Sequence, residues 1–306
     1  MDRIEEALLE EIADLHGIPE GAYNIRINGQ LDSRSTTANI DIVSKDDNPG
    51  IDIIIKPGTK NEKVHIPVLI SQTGVNDLVY NDFYIGEDCD VVIVAGCGIH
   101  NCGELESRHD GIHTFHVGKN AKIRYIEKHY GDGDGTGENT MNPTTVVELD
   151  EGAVMEMDTM QIKGIDNTVR ETSARINGVG AKLIVKDKVF THDRQHADAI
   201  FNVELNGEGS TCDLTSRAIA KNTSTQTFTA HIAGNAPCAS HTECDAIIMD
   251  DAKINASPQI EANDLDAALI HEASIGRIAG DQLTKLMTLG LSQEEAEEQI
   301  IAGFLR

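Results

Sequence analysis

Three stretches of this 306-residue chain hold side chains whose types and spacing suit soft-metal or sulfur chemistry. In the first, GCGIHNCGELESRHDGIHTFHVG, Cys97, His100, Cys102, His109, His113 and His116 fall close together. Thiolate and imidazole are donors that zinc and iron favour, although this spacing fits no standard finger. The competing reading is small buried cysteines and polar histidines in long strand connections. The second stretch, CASHTECDAI, carries Cys238, His241, Glu243 and Cys244. The third, IHEASIGRI, carries His271 and Glu272.

Several familiar chemistries are missing. No G-x-x-x-x-G-K-[ST] phosphate loop occurs, so the chain is not expected to hydrolyse nucleotides itself. GDGDGTGEN (131–139) has the glycines without the lysine. It half-resembles an EF-hand loop, but Thr136 stands at the third ligand position and no helix flanks it, so it reads as a flexible surface loop. HEASI opens like a zincin motif and then places Ile275 where the second histidine belongs. The six cysteines form no C-x-x-C pair, which argues against zinc ribbons and thioredoxin-like redox motifs.

Charge and composition narrow the partners. The formal net charge is −26, and such a chain repels phosphate backbones and anionic headgroups, so neither nucleic acid nor membrane is expected. Aromatic residues make up 4% and tryptophan is absent, which weakens a carbohydrate-active reading. The opening MDRIEEALLEEIADLHG has neither a basic n-region nor an apolar h-region, and the longest apolar run, 91–99, is far short of the ~20 residues that span a bilayer. A cytoplasmic protein with reduced cysteines is the expectation.

These groups must be positioned by regular elements. Ile4, Leu8, Ile12 and Leu15 predict a helix over 3–16, closed by Gly17 and Pro19. From Ala22 the period shortens: YNIRIN, NIDIVS, IDIIIK, VVIVAG, KIRYIE, KLIVKDKV and FNVELN alternate and are bounded by Gly, Asn and Asp. A turn followed by a small residue and a strand recurs from Gly86, Gly118, Asp150, Gly178, Gly207, Gly234 and Asn263, at intervals of 32, 32, 28, 29, 27 and 29. A further corner begins at Met249. Units of this length suit the coils of a parallel β-solenoid, with a β-sandwich as the alternative. On that architecture Cys244 stands about one coil before His271 and Glu272, within side-chain reach if the register brings them to one face. Residues 280–289 predict a short helix stopped by Gly290, and Ser292 with Glu295 forms an S-x-x-E capping box for a second. Four glutamates on that second helix exclude a DNA-reading helix-turn-helix.

From Thr242 onward the chain resembles the C-terminal part of the SufB/SufD family of iron–sulfur cluster assembly proteins. The matching pieces are ECDAIIMD, PQIEA, HEASIGRI, the DQL that follows and the closing IIAGF, all in the family's order. SRHDGIHTFHV is weakly similar as well. The resemblance implies a right-handed parallel β-helix with helical ends, divided here as an N-terminal helix (1–20), a β-helix core (21–275) and a C-terminal helical segment (276–306). It implies a non-catalytic scaffold that builds a transient iron–sulfur cluster, binds iron and passes the cluster to apoprotein acceptors. ATP would be hydrolysed by a SufC-like ABC ATPase docked on the C-terminal helices, here through Asp281, Leu283, Leu286, Ile300, Ile301 and Phe304. Cys244 matches the family's sulfur-receiving, cluster-ligating cysteine, Glu272 the carboxylate of its H-E-A motif, and His271 the histidine contributed by the other subunit. One chain carrying all three implies a homodimer through the β-helix. Cys97, His100 and Cys102 lie outside that pattern, and with His109 and His113 they stand as possible additional ligands. A zinc-binding or purely structural solenoid is the rival reading.

Overall fold

The computed structural model describes residues 1–278 and 280–305, without the side chain of Asp281. Alternation along each strand sends every second side chain inward. In Asp90–His100, for example, Val91, Ile93, Ala95, Cys97 and Ile99 are buried. From Lys60 onward the chain crosses between two ten-stranded sheets at each corner, so each coil contributes to both sheets. Within one sheet the parallel register sets Asp90, Lys122, Val154, Lys182, Thr211, Ala239 and Ala268 opposite one another in successive coils. This is a parallel β-helix and not a sandwich. Two starts in the repeat reading stand one residue early: counted back from the paired Ala239 and Ala268, the equivalent corner residues are Asn235 and Asp264, not Gly234 and Asn263.

The corners explain the Gly, Asn and Asp punctuation. One corner repeats a left-handed residue at Asp88, Asn120, Gly152, Gly180 and Gly209. A second does so at Asp193, Asn222 and Asp250, the last being the corner read at Met249. Gly, Asn and Asp enter that region at the lowest cost. Beside the first corner, Asn206, Asn235 and Asn263 each donate a side-chain hydrogen bond to the asparagine one coil earlier, at 2.9, 2.8 and 2.8 Å, starting on Asn177. Between the sheets Phe83 stacks on Phe115 with ring centroids 4.3 Å apart, and Tyr125 packs edge-on against Phe115.

Near the N-terminal end a helix covers the outer face. Helix α1, Arg3–Ala13, begins with a capping box between Asp2 and Glu5. It stops short of the expected Gly17 because Asp14 turns left-handed and its N–H caps the Glu10 carbonyl. Leu8, Leu9 and Ile12 bury against the outer face near Leu69, Val94 and Tyr130. Gly98 makes that approach possible: a Cβ there would stand 3.1 Å from Leu8. The first β segments pair antiparallel, Ala22–Ile27 with Gln30–Ser35 and Ile40–Ser44 with Gly50–Ile55. Alternation does not encode strand direction, so the sequence reading runs the solenoid from residue 21 without these hairpins.

At the other end α2, Gly280–Thr288, and α3, Gln293–Phe304, follow the last strand, with Ser292 and Glu295 forming the expected capping box. Helix α3 is fastened to its own chain: Arg217 donates to the Phe304 carbonyl at 3.1 Å, and Lys221 pairs with Glu297 at 2.9 Å.

Candidate functional site

The last two strands of one sheet, Ala239–Ile248 and Ala268–Arg277, carry the thiol, imidazole and carboxylate singled out above. Their register pairs Thr242 with His271, Glu243 with Glu272 and Cys244 with Ala273. Cys244 and His271 therefore share the inner face on adjacent coils, diagonal to one another. Glu272 faces outward, beside Glu243 and 3.7 Å from His241. The expected gathering of all three within one chain does not occur. Ala273 takes the position opposite Cys244, so Glu272 falls one short of it, and a slip of one position in a strand reverses the face.

Cys244 is 1% exposed. Burial, reinforced by Asp245 and Asp187, pushes its thiol up to about 11, so it is protonated at neutral pH until a cation stabilises the thiolate. Neither ring nitrogen of His271 has a hydrogen-bond partner among the described residues. Burial and the neighbouring His241 lower its pKa, which keeps the ring neutral and able to ligate. A cavity of about 10 Å³ beside Cys244 is lined in part by Arg170, Ser216, Gln226 and Phe228. The inner-face column that ends at Cys244 is polar: Glu127, Thr159, Asp187, Ser216 and Cys244 stack coil on coil. Arg170 reaches Asp187 from the opposite sheet at 2.8 Å, and Thr159 donates to the same carboxylate oxygen at 2.6 Å.

The histidine- and cysteine-rich segment is split by the fold. Cys97, His109 and His113 point between the sheets around a second cavity of about 10 Å³, with Glu127 and His129. There His113 Nδ1 lies 2.7 Å from the Tyr125 hydroxyl and Asp77 pairs with Arg26 at 2.7 Å. Burial, then Asp77 and Glu127, raises the Cys97 thiol well above its usual range. Burial likewise lowers His113 to about 4. His116 turns outward, stacked on Tyr84 and 2.9 Å from Glu148. His100 and Cys102 sit at an outer corner with Asp132. Among the described residues no three His, Cys, Asp or Glu side chains are arranged to hold a metal ion, so the expected single ligand set is not formed. Glu127, His129, Arg170 and Asp187 escaped the sequence reading, and Asp132 entered it only as part of the EF-hand-like loop. The coil period could have found Asp132 and His129, which lie one coil after His100 and Cys97 respectively.

GDGDGTGEN is ordered and not the flexible loop expected. Its backbone stacks on 101–105: Gly135 donates to the Asn101 carbonyl, and Thr136 and Gly137 to that of Gly103. A Cβ at Gly133, Gly135 or Gly137 would stand 2.1 to 2.3 Å from that backbone, which is why glycine alternates there.

Of the residues expected to dock an ATPase, Leu283, Leu286, Ile300, Ile301 and Phe304 are half-buried on α2 and α3, and the Asp281 side chain lies outside the described residues. No helix among the described residues is long and apolar enough to cross a membrane.

A parallel β-helix thus carries a buried thiol and an imidazole diagonal to one another on the inner face near one end. Residues 81–304 match the family model "SUF system FeS cluster assembly, SufBD core domain". The chain belongs to the SufBD family of iron–sulfur cluster assembly proteins. It is 29% identical over 255 residues to a SufBD family protein of Methanocaldococcus jannaschii, covering 83% of this chain and 79% of that one. It is 26% identical to one of Methanothermobacter thermautotrophicus, covering 82% of this chain and 60% of the relative. A third, from Archaeoglobus fulgidus, is 29% identical over 79% of this chain and 65% of its own length.

Proposed function

We propose that this chain is the scaffold on which a nascent iron–sulfur cluster is assembled and from which it is handed to apoproteins. The observation that carries the reading is the pair at the last coils: Cys244, and His271 with both ring nitrogens unpartnered, on one inner face. The cluster is cargo, and mixed thiolate and imidazole ligation releases cargo more readily than a closed set of four thiolates. An approaching Fe²⁺ supplies the charge that the buried Cys244 thiol needs to ionise.

The ligand set is completed by a second copy. Among the described residues Ala268–Arg277 is an edge strand, paired on one side only, and exposes Ile270 and Ile275. An unpaired edge of this kind templates addition of another strand. A second copy joined there brings its own Cys244, His271 and Glu272 to the same junction. A SufC-like ABC ATPase binding at α2 and α3 would hydrolyse ATP and strain that junction, releasing the cluster in the cytoplasm. The scaffold itself catalyses no reaction in this scheme.

Anaerobic reconstitution of the chain with its ATPase partner, Fe²⁺ and inorganic sulfide tests the reading by visible absorption. Wild type is expected to develop a cluster band that Cys244→Ser loses. Equal bands in both proteins, or a monomeric cluster-loaded chain, overturn it.

A further inference from the structure

The scaffold scheme uses the sheet that carries Cys244. On the outer face of the opposite sheet, Ile54, Tyr84, His116, Glu148, Arg175 and Glu204 stand in register on successive coils. At the ~4.8 Å spacing of neighbouring strands this row runs about 24 Å along the solenoid axis. Helix α1 packs on the other sheet, and α3 is fastened to that sheet through Arg217. A groove of about 400 Å³ opens along the first four residues of the row, with Asp150 beside them. Gly86 and Gly118 line it without side chains, because a Cβ would stand 2.5 Å from Pro57 or 2.7 Å from the Ile85 carbonyl of the coil before.

The lining selects the chemistry of an occupant. Ile54 and Tyr84 are 41% and 43% exposed. Tyr84 stacks on His116 with ring centroids 5.2 Å apart, and Glu148 steadies the imidazole at 2.9 Å. Among the described residues no hydrogen bond or ion pair engages the Asp150 side chain. The adjoining corner adds Glu87, Asp88 and Glu151 around Lys119. Arg175 reaches Glu148 and Glu204 only at 4.0 and 3.8 Å. A ring ledge beside carboxylates suits a guanidinium, which lies flat on an aromatic face, forks onto a carboxylate and sheds water more readily than an ammonium. The net charge of −26 steers basic partners towards it.

The length of the row selects a polypeptide over a small cation. Past Arg175 it continues into a second cavity of about 270 Å³ beside Glu204 and His231. An extended chain rises ~3.3 Å per residue, so about seven residues span the row. We propose that this face docks a basic segment of a partner protein, laid in extended form along the row, with one arginine seated on the Tyr84–His116 ledge and paired with Asp150. Further basic residues of the segment meet Glu148 and Glu204. This docking is independent of the scaffold reading, since it uses neither Cys244 nor the sheet that carries it.

A fluorescein-labelled heptapeptide alternating arginine and threonine, titrated with the native full chain and read by anisotropy, tests it. Saturable binding that weakens as salt rises is expected. Tyr84→Ala and Asp150→Asn should each weaken it about threefold, and the double variant about tenfold. Tyr84→Phe should keep it, because the ring face remains. Glu298→Gln removes the same charge from an exposed position on α3 and should change nothing, which separates docking from general acidity. Equal binding by wild type and the double variant overturns the proposal. So do equal losses in Asp150→Asn and Glu298→Gln, or displacement of the peptide by equimolar free arginine.

Discussion

The two ends of the solenoid are finished in opposite ways. At the N-terminal end the outer face is covered by α1, with Leu9 and Ile12 fully buried, and two antiparallel hairpins flank the first coils. At the C-terminal end Lys253–Ala262 and Ala268–Arg277 are edge strands, and the inward-facing Ile275 is 41% exposed. A stacked solenoid must cap its terminal coils or leave unpaired backbone and apolar surface for a partner. Each end leaves an edge strand in each sheet, so what closes the N-terminal end is the helix packed on its outer face; that end therefore contributes stability, and the open end, which holds Cys244 and His271, is shaped for association.

Matched truncations would sharpen that contrast most. Leu9→Ala at the closed end should cost about 2–5 kcal/mol in urea unfolding, because it empties a packed site. Ile275→Ala at the open end should cost under about 1 kcal/mol of chain stability, the range for partly exposed positions, yet weaken self-association in sedimentation equilibrium. Comparable stability losses at both ends would break the comparison.

Acid titration should separate the ends next. Burial alone would raise the Asp77 carboxyl, but His109 and Arg26 hold it down to about 2. A carboxyl depressed in the folded state stabilises above its unfolded pKa of ~3.9 and loses that contribution as pH falls through about 4 towards 2. The contribution is about 2–3 kcal/mol. Asp77→Asn should remove this part of the acid dependence, measured as urea midpoint against pH; an unchanged slope between pH 4 and 2 would show that the Asp77 pairing contributes nothing.

The smallest effect belongs to the corner ladder running towards the open end. Asn206→Ala removes one hydrogen bond on each side, to Asn177 and Asn235. At an exposed corner this should cost about 1 kcal/mol, with the cluster band unaltered. A loss as large as that of Leu9→Ala would mean that the corner ladder, and not the packed end, carries the stack.

Much of this was legible in the chain itself. The coil period, the corner residues, the C-terminal helix pair and its Ser292 cap are local patterns, each set by backbone preferences of a few residues. Cys244, His271 and Glu272 were singled out by resemblance. Their facing was not, because a difference of a single position in the coil period decides whether Glu272 lies inside or outside, and turn motifs read by eye are uncertain by that much. The histidine- and cysteine-rich cluster misled for the same reason. Proximity along a strand alternates between faces, so Cys97, His109 and His113 turned inward while His116 turned out.

The sequence by itself pointed to coils of two or more strands with soft donors in the last of them, since alternation and turn chemistry act locally; the stacking settled two strands per coil and excluded a sandwich. Only the tertiary structure decided which donors meet. Asp132 reaches His100, Arg170 reaches Asp187, and Cys244 shares a face with His271 because parallel register brings together side chains from neighbouring coils that are far apart along the chain. That register is set by the packing of whole coils and is written in no short stretch of the chain.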